Sequence, residues 1–221
     1  MDLDKIVERM IEEIERTDGI ALEDIPGIDL YMDQLTTFMD DHLRSRSRNP
    51  GEDKILTKTM INNYAKNDLL PPPVRKKYSK DHLLLLLLIY YLKSILSISD
   101  INTMIQPLKE YFHVSDTEDV TLSKVYKTVQ KIALENRGTM EEDLREKARL
   151  AKESFPDLDG EEGDTIRAFL FFILTAYDVY MKKLLIEKAV DAVAALQATD
   201  TGNAREKRRR DKASRKKGKN H

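Results

Sequence analysis

Ten consecutive apolar residues, Leu83 to Leu92, stand between His82 and Lys93. A helix built on that run has no polar face, so the rest of the chain has to wrap it on every side. A bilayer crossing needs about 20 such residues; this run is long enough only for a buried helix. A second apolar stretch, Ile166 to Ile186, is interrupted by Arg167, Asp178, Lys182 and Lys183. Each charge near a bilayer centre costs about 2.5–3.5 kcal/mol, so this stretch also reads as a core helix, and no membrane partner is expected. The opening Met1-Asp2-Leu3-Asp4-Lys5 has no basic segment ahead of an apolar one, so no secretory signal is expected and the expected location is cytoplasmic.

Helical patterns fill the rest of the chain. Leu3, Ile6, Val7, Met10, Ile11 and Ile14 recur at steps of three and four, an amphipathic helix over residues 3–16. Gly19 and Pro26-Gly27 interrupt it, and Asp29 precedes a helix from Leu30 to about Leu43. Thr57 is placed to cap a helix whose Met60, Ile61 and Tyr64 share one side, and Pro71-Pro72-Pro73 end it. Val74 to Tyr78 then reads as a short extended or turning segment. Ser79 is placed to cap the leucine-rich helix, Lys80 to Ile95, and Ser99 starts another. Further helices are predicted near Leu122–Asn136, Met140–Ser154 and Thr165–Ala198, separated by Gly138, Pro156, Gly160 and Gly163, with Thr199 to Asn203 ending the last. No stretch alternates apolar and polar residues long enough for a substantial sheet, so the predicted fold class is all-α.

The charges total 37 Lys and Arg against 39 Asp and Glu, and their placement is uneven. Ten Lys or Arg and four acids lie between Leu43 and His82, net +6, and residues 205–221 hold ten against two, net +8. The remainder must carry −16. Phosphate binding calls for local positive charge of this kind. The low-complexity cationic stretch 205–221 is predicted to be a disordered basic tail, either a nucleic-acid contact or a solubilising extension.

Catalytic and cofactor chemistry find little to work with. There is no Cys, which excludes disulfides, thiolate metal sites and a Cys nucleophile. His42, His82, His113 and His221 have no partner at ligand spacing. Acid pairs such as Glu12-Glu13, Asp40-Asp41, Glu141-Glu142 and Glu161-Glu162 read as solvated faces and loops, and no phosphate-cradling glycine loop or nucleophile motif is present. No catalytic residue, metal or cofactor is predicted.

On the helix after Thr57, the polar residues are Lys58, Thr59, Asn62, Asn63 and Lys66. Asn can pair two hydrogen bonds with an adenine edge, and Lys and Thr reach guanine or phosphate; an ordinary solvated face is the other reading of the same pattern. The order Ile61-Asn-Asn-Tyr-Ala-Lys-Asn-Asp-Leu-Leu-Pro71, then Lys76-Lys-Tyr-Ser-Lys-Asp-His-Leu83, then Ser97-Ile-Ser-Asp-Ile101 resembles the MerR-type transcription regulators. In that family a recognition helix with an aromatic pair runs into a Gly-Leu-Leu-Pro turn, and an Arg-x-Tyr wing leads into a leucine-rich helix. The resemblance places Asn62, Asn63 and Tyr64 at the DNA-facing end of the helix and Lys76 and Tyr78 on a wing, flanked by Arg75 and Lys77. Here the aromatic pair is Asn63-Tyr64, the turn glycine is Asp68, the wing arginine is Lys76, and Arg44–Lys54 stands where a tight turn is usual. Residues 20–110 also resemble a bacterial family known only as a domain of unknown function, through Asp29-Leu-Tyr-Met-Asp-Gln34 and Leu56-Thr-Lys-Thr-Met-Ile-Asn-Asn-Tyr64.

The run Phe169-Leu-Phe-Phe-Ile-Leu174, continued by Tyr177, Tyr180, Leu184 and Leu185, is more apolar than one face of a surface helix requires. It is the centre of a bundle, a dimer seam or the lining of a small-molecule pocket. The expected organisation is an amphipathic helix (1–19), a MerR-like winged helix-turn-helix (20–110), a helical domain for dimerisation or effector sensing (111–200) and the tail (201–221). The expected function is transcription regulation by a homodimer on double-stranded DNA, with an effector of unknown identity. The alternative is a protein-interaction module whose tail alone contacts nucleic acid.

Overall fold

The computed structural model describes residues 2–16, 19–114 and 120–217, with side chains described for 2–16, 19–108 and 120–199. Among them the helices are α1 (Leu3–Arg16), α2 (Met32–Leu43), α3 (Lys58–Lys66), α4 (Lys80–Leu92), α5 (Ile98–Val114), α6 (Leu122–Glu135), α7 (Arg137–Glu153) and α8 (Gly160–Lys217). A single 3-10 turn, Arg44–Arg46, follows α2. Two short strands, β1 (Leu30–Tyr31) and β2 (Lys77–Tyr78), pair antiparallel with Leu30 opposite Tyr78 and Tyr31 opposite Lys77. The chain is mostly helical, and none of the described helices is long and apolar enough to cross a membrane.

The leucine-rich helix is the axle. Leu83, Leu84, Leu86, Leu87 and Ile89 of α4 are each 0% exposed, and Leu85 is also buried. Both ends of α4 are tied to loops by lysines: Lys80 Nζ donates to the Leu22 carbonyl at 3.1 Å and Lys93 Nζ to the Ile55 carbonyl at 2.8 Å. Around α4 gathers one buried cluster reaching from Ile20 to Tyr126, with Leu35, Met39 and Leu43 from α2 and Ile61 and Tyr64 from α3. α6 belongs to it: the Tyr126 hydroxyl donates to the Ile20 carbonyl at 2.9 Å, and the Gln130 amide donates to the same oxygen.

A second, smaller cluster joins Leu3, Val7 and Ile11 of α1 to Leu144, Ala148 and Ala151 of α7 and Phe171 of α8. The amphipathic N-terminal helix is thus a partner of the C-terminal helices. Gly163 lies in the first turn of α8, against the preceding loop: a Cβ there would lie 2.3 Å from the Leu158 carbonyl oxygen, so only glycine fits.

Several boundaries differ from the sequence expectation: α4 stops at Leu92 and not Ile95, and α8 starts at Gly160 and takes in Gly163. Leu30 and Tyr31 are strand, because their partners on β2 lie 46 or more residues away and two residues show no alternation. Gly138 lies within the first turn of α7, and the break falls at Asn136, the cap shared by α6 and α7. α8 passes through Thr199–Asn203 and on to Lys217. The expected disordered tail is therefore helical over 201–217, with 218–221 outside the described residues. One glycine, Gly202, costs a helix about 1 kcal/mol, whereas the Ala, Glu, Lys and Arg around it are strong helix formers.

Candidate nucleic-acid interface

The local chemistry of α3 sets its face. Thr57 adopts an extended backbone and its hydroxyl oxygen accepts from the Met60 amide at 3.2 Å, starting the helix. Met60, Ile61, Tyr64 and Ala65 turn toward the core, while Lys58, Thr59, Asn62, Asn63 and Lys66 are exposed. Those five positions form one contiguous polar stripe at 100° per residue.

The end of α3 is closed by backbone bonds. Leu69 N–H bonds the Tyr64 carbonyl at 2.9 Å and Asp68 N–H bonds the Ala65 carbonyl at 3.3 Å, the pair of bonds of a Schellman cap. Asp68 supplies the left-handed residue that such a cap requires, at φ 55. Buried Leu69 and Leu70 then pin the chain to the core before the three prolines.

Beyond the prolines the chain doubles back in a two-residue hairpin. Val74 and Lys77 exchange both backbone hydrogen bonds, at 3.1 and 2.9 Å, and the central residues Arg75 and Lys76 have φ of 50 and 64. Positive φ at both central positions is the type I′ pattern, which normally selects Asn-Gly. Two long cationic side chains occupy it here, exposed at the tip.

The start of α2 anchors this hairpin beside α3. The Asp33 carboxylate pairs with Lys58, the first residue of α3. Lys77 Nζ lies 5.1 Å from the centre of the Tyr31 ring. Lys58 and Lys77 therefore meet residues only two positions apart, Asp33 and Tyr31, so the start of α2 touches both α3 and the hairpin.

Tyr64, placed by the resemblance at the DNA-facing end of its helix, is turned inward, and Tyr78, placed on the wing, is buried as a brace. Tyr64 is 6% exposed and Tyr78 is 4% exposed. Tyr64 packs in the core, and Tyr78 stands edge-on to His82 with ring centres 5.6 Å apart. Burial pushes both phenols above their ordinary pKa. Their role is to hold α3 and the hairpin in place. Sequence reasoning missed Tyr31 and Asp33 as site residues; the only local sign of them was their position at the start of a helix, which does not reveal partners 25 and more residues away. Among the described residues no cluster of His, Asp or Glu is arranged to hold a metal ion.

The buried cluster that runs from Ile20 to Tyr126 has nearly the same limits as a known sequence family. Residues 20–129 match the domain of unknown function DUF1836. The DUF1836 segment thus contains α2 to α5, the paired strands, the hairpin and the first part of α6, and it excludes α1, α7 and α8. No curated protein and no solved structure matches the chain.

Proposed function

We propose that the DUF1836 segment binds double-stranded DNA as a winged helix-turn-helix of the MerR kind, and that the protein is a transcription regulator. The observation that carries this reading is the Arg75-Lys76 tip. A non-glycine residue in the left-handed region costs roughly 1–2 kcal/mol, and backbone strain of this sort clusters at sites where it serves a contact. Here the strained turn displays two exposed cations, in a stretch of net charge +6 that also carries the polar stripe of α3.

In this reading Asn62, Asn63, Thr59 and Lys66 face the groove, and Lys58 contributes after exchanging Asp33 for phosphate. Arg75, Lys76 and Lys77 hold the backbone. The working unit is a homodimer, which sets two recognition helices about 34 Å apart on near-palindromic DNA. Its seam is the exposed row Phe169, Phe172, Ile173 and Tyr180 on α8, an apolar row of the kind that marks interaction surfaces. The site acts in the cytoplasm and its effector is a small molecule of unspecified identity.

Mobility shift against genomic fragments is the test: retarded fragments are expected, and none at low salt with folded protein overturns the reading. Asn62→Ala should alter sequence preference. One observation favours the rival, a protein-docking surface with nucleic acid left to residues 205–221: Ile28 and Val74 near the hairpin are 72% and 68% exposed. If removing 205–221 abolishes all DNA binding, the rival is right.

A further inference from the structure

The loop between α2 and α3 and the end of α4 border an open surface hollow of about 460 Å³. Four cations line it: Arg46, Arg48 and Lys54 from the loop and Lys93 from the residue after α4. Among the described residues none of the four is in an ion pair, in contrast to Arg44, which is bound to Asp40 and to the Pro50 carbonyl. The one acid in the hollow is Asp53. Its carboxylate is taken by the Ser47 hydroxyl and the Asn49 amide, which hold it below the usual carboxylate range and fix the loop.

The cations keep donors free. Lys93 gives one ammonium hydrogen to the Ile55 carbonyl and lies 4.8 Å from the centre of the Tyr90 ring; an ammonium has three. Arg46 gives one to the Tyr91 hydroxyl at 3.1 Å, of a guanidinium's five. Fixed, partly desolvated donors of this sort suit a small multivalent anion, since charge-assisted bonds to phosphate are stronger than neutral ones. Burial lowers the pKa of Lys93, and the nearby Asp53 carboxylate offsets this only in part.

We propose that this hollow is a phosphate site, with Arg46 and Lys93 as its principal ligands and Arg48 and Lys54 closing over it. The phosphate belongs either to a soluble phosphomonoester or to the DNA backbone, and the site does not rest on the reading of α3 and the hairpin. An occupant would clamp the loop to α4 at Ile55, two residues ahead of the Thr57 cap, and so brace the base of α3.

The test is titration of the full chain with inorganic phosphate, followed by amide and side-chain NMR shifts, against sodium chloride at equal ionic strength. Saturable shifts at Ser47, Lys54 and Lys93 are expected with phosphate alone. Affinity should fall roughly tenfold or more in Arg46→Gln/Lys93→Gln, because each lost charge removes a charge-assisted bond. If that variant does not fold, Arg48→Gln/Lys54→Gln, at exposed positions, should show a smaller drop. Phenyl phosphate binding that persists when a duplex is bound identifies a soluble ester; displacement of phosphate by the duplex identifies the backbone. Shifts that chloride reproduces, that do not saturate, or that survive in the folded charge variants overturn the proposal.

Discussion

Among the described residues, twenty-four buried side chains gather between Ile20 and Tyr126, and seven gather where α1, α7 and α8 meet. The larger cluster wraps an apolar helix on all sides. The smaller one relies on a thin apolar seam edged by ion pairs, Arg145 with Glu8 at 2.8 Å and Lys152 with Asp4, and exposed pairs of this type contribute about 0–1 kcal/mol each. It also leaves Phe169, Ile173 and Tyr177 of α8 exposed at 64%, 49% and 61%. The contrast teaches that the larger cluster is nearly closed around α4, with Ile186 of α8 packed against it, while the α1–α7–α8 unit leaves a row of aromatic and apolar side chains on α8 exposed. Of the three readings offered for the Phe169 run, bundle centre fails for Phe169, Phe172 and Ile173, and holds for Phe171, at 0% exposed.

That comparison can be broken by substitution. Leu86→Ala, at the centre of α4, should cost about 2–5 kcal/mol and lower the denaturant midpoint of the whole DUF1836 segment. A loss under about 1 kcal/mol would mean that α4 is not the packing centre of the larger cluster. Gly163→Ala should act on the other unit alone, by about 1–3 kcal/mol of forced displacement. Hydrogen exchange should rise in α1 and α7 and stay unchanged in α4; a rise in both would show one cooperative core.

Smaller effects sharpen the boundary between the units. Tyr126→Phe removes the hydrogen bond to the Ile20 carbonyl and should cost about 0.5–1.5 kcal/mol by thermal unfolding. A negligible loss would detach α6 from the larger core. Asp68→Gly should stabilise by about 0.5–1 kcal/mol, since glycine adopts positive φ freely, and a loss of stability would show that the carboxylate has a further role.

What was legible in the sequence was local or periodic. The Thr57 cap, the polar stripe of Lys58, Thr59, Asn62, Asn63 and Lys66, and the burial of the leucine run all follow from spacing within one or two turns. The turn position of Asp68 was visible through the family resemblance. The pairing of Tyr31 with Lys77 was not, because two-residue strands carry no pattern. Nor was the positive φ of Arg75 and Lys76, since no Asn-Gly marks the turn. Tyr64 misled because a tyrosine suits a buried site and a contact surface equally well. The partner of α1 was hidden because helix periodicity specifies a face and not what covers it. Zero cysteines and scattered histidines made the chain's chemistry easy to bound; the hollow around Lys93 depended on a loop whose shape only the fold supplies.

The most direct measurement compares three chains on one duplex by fluorescence anisotropy across a salt series: the full chain, Arg75→Ala/Lys76→Ala, and a chain ending at residue 204. If the DUF1836 segment reads DNA, the chain ending at 204 keeps binding, and the tip variant weakens on every sequence with a salt slope shallower by about 2. Unchanged binding and slope in the tip variant, with binding lost on removal of residues 205–221, would contradict it.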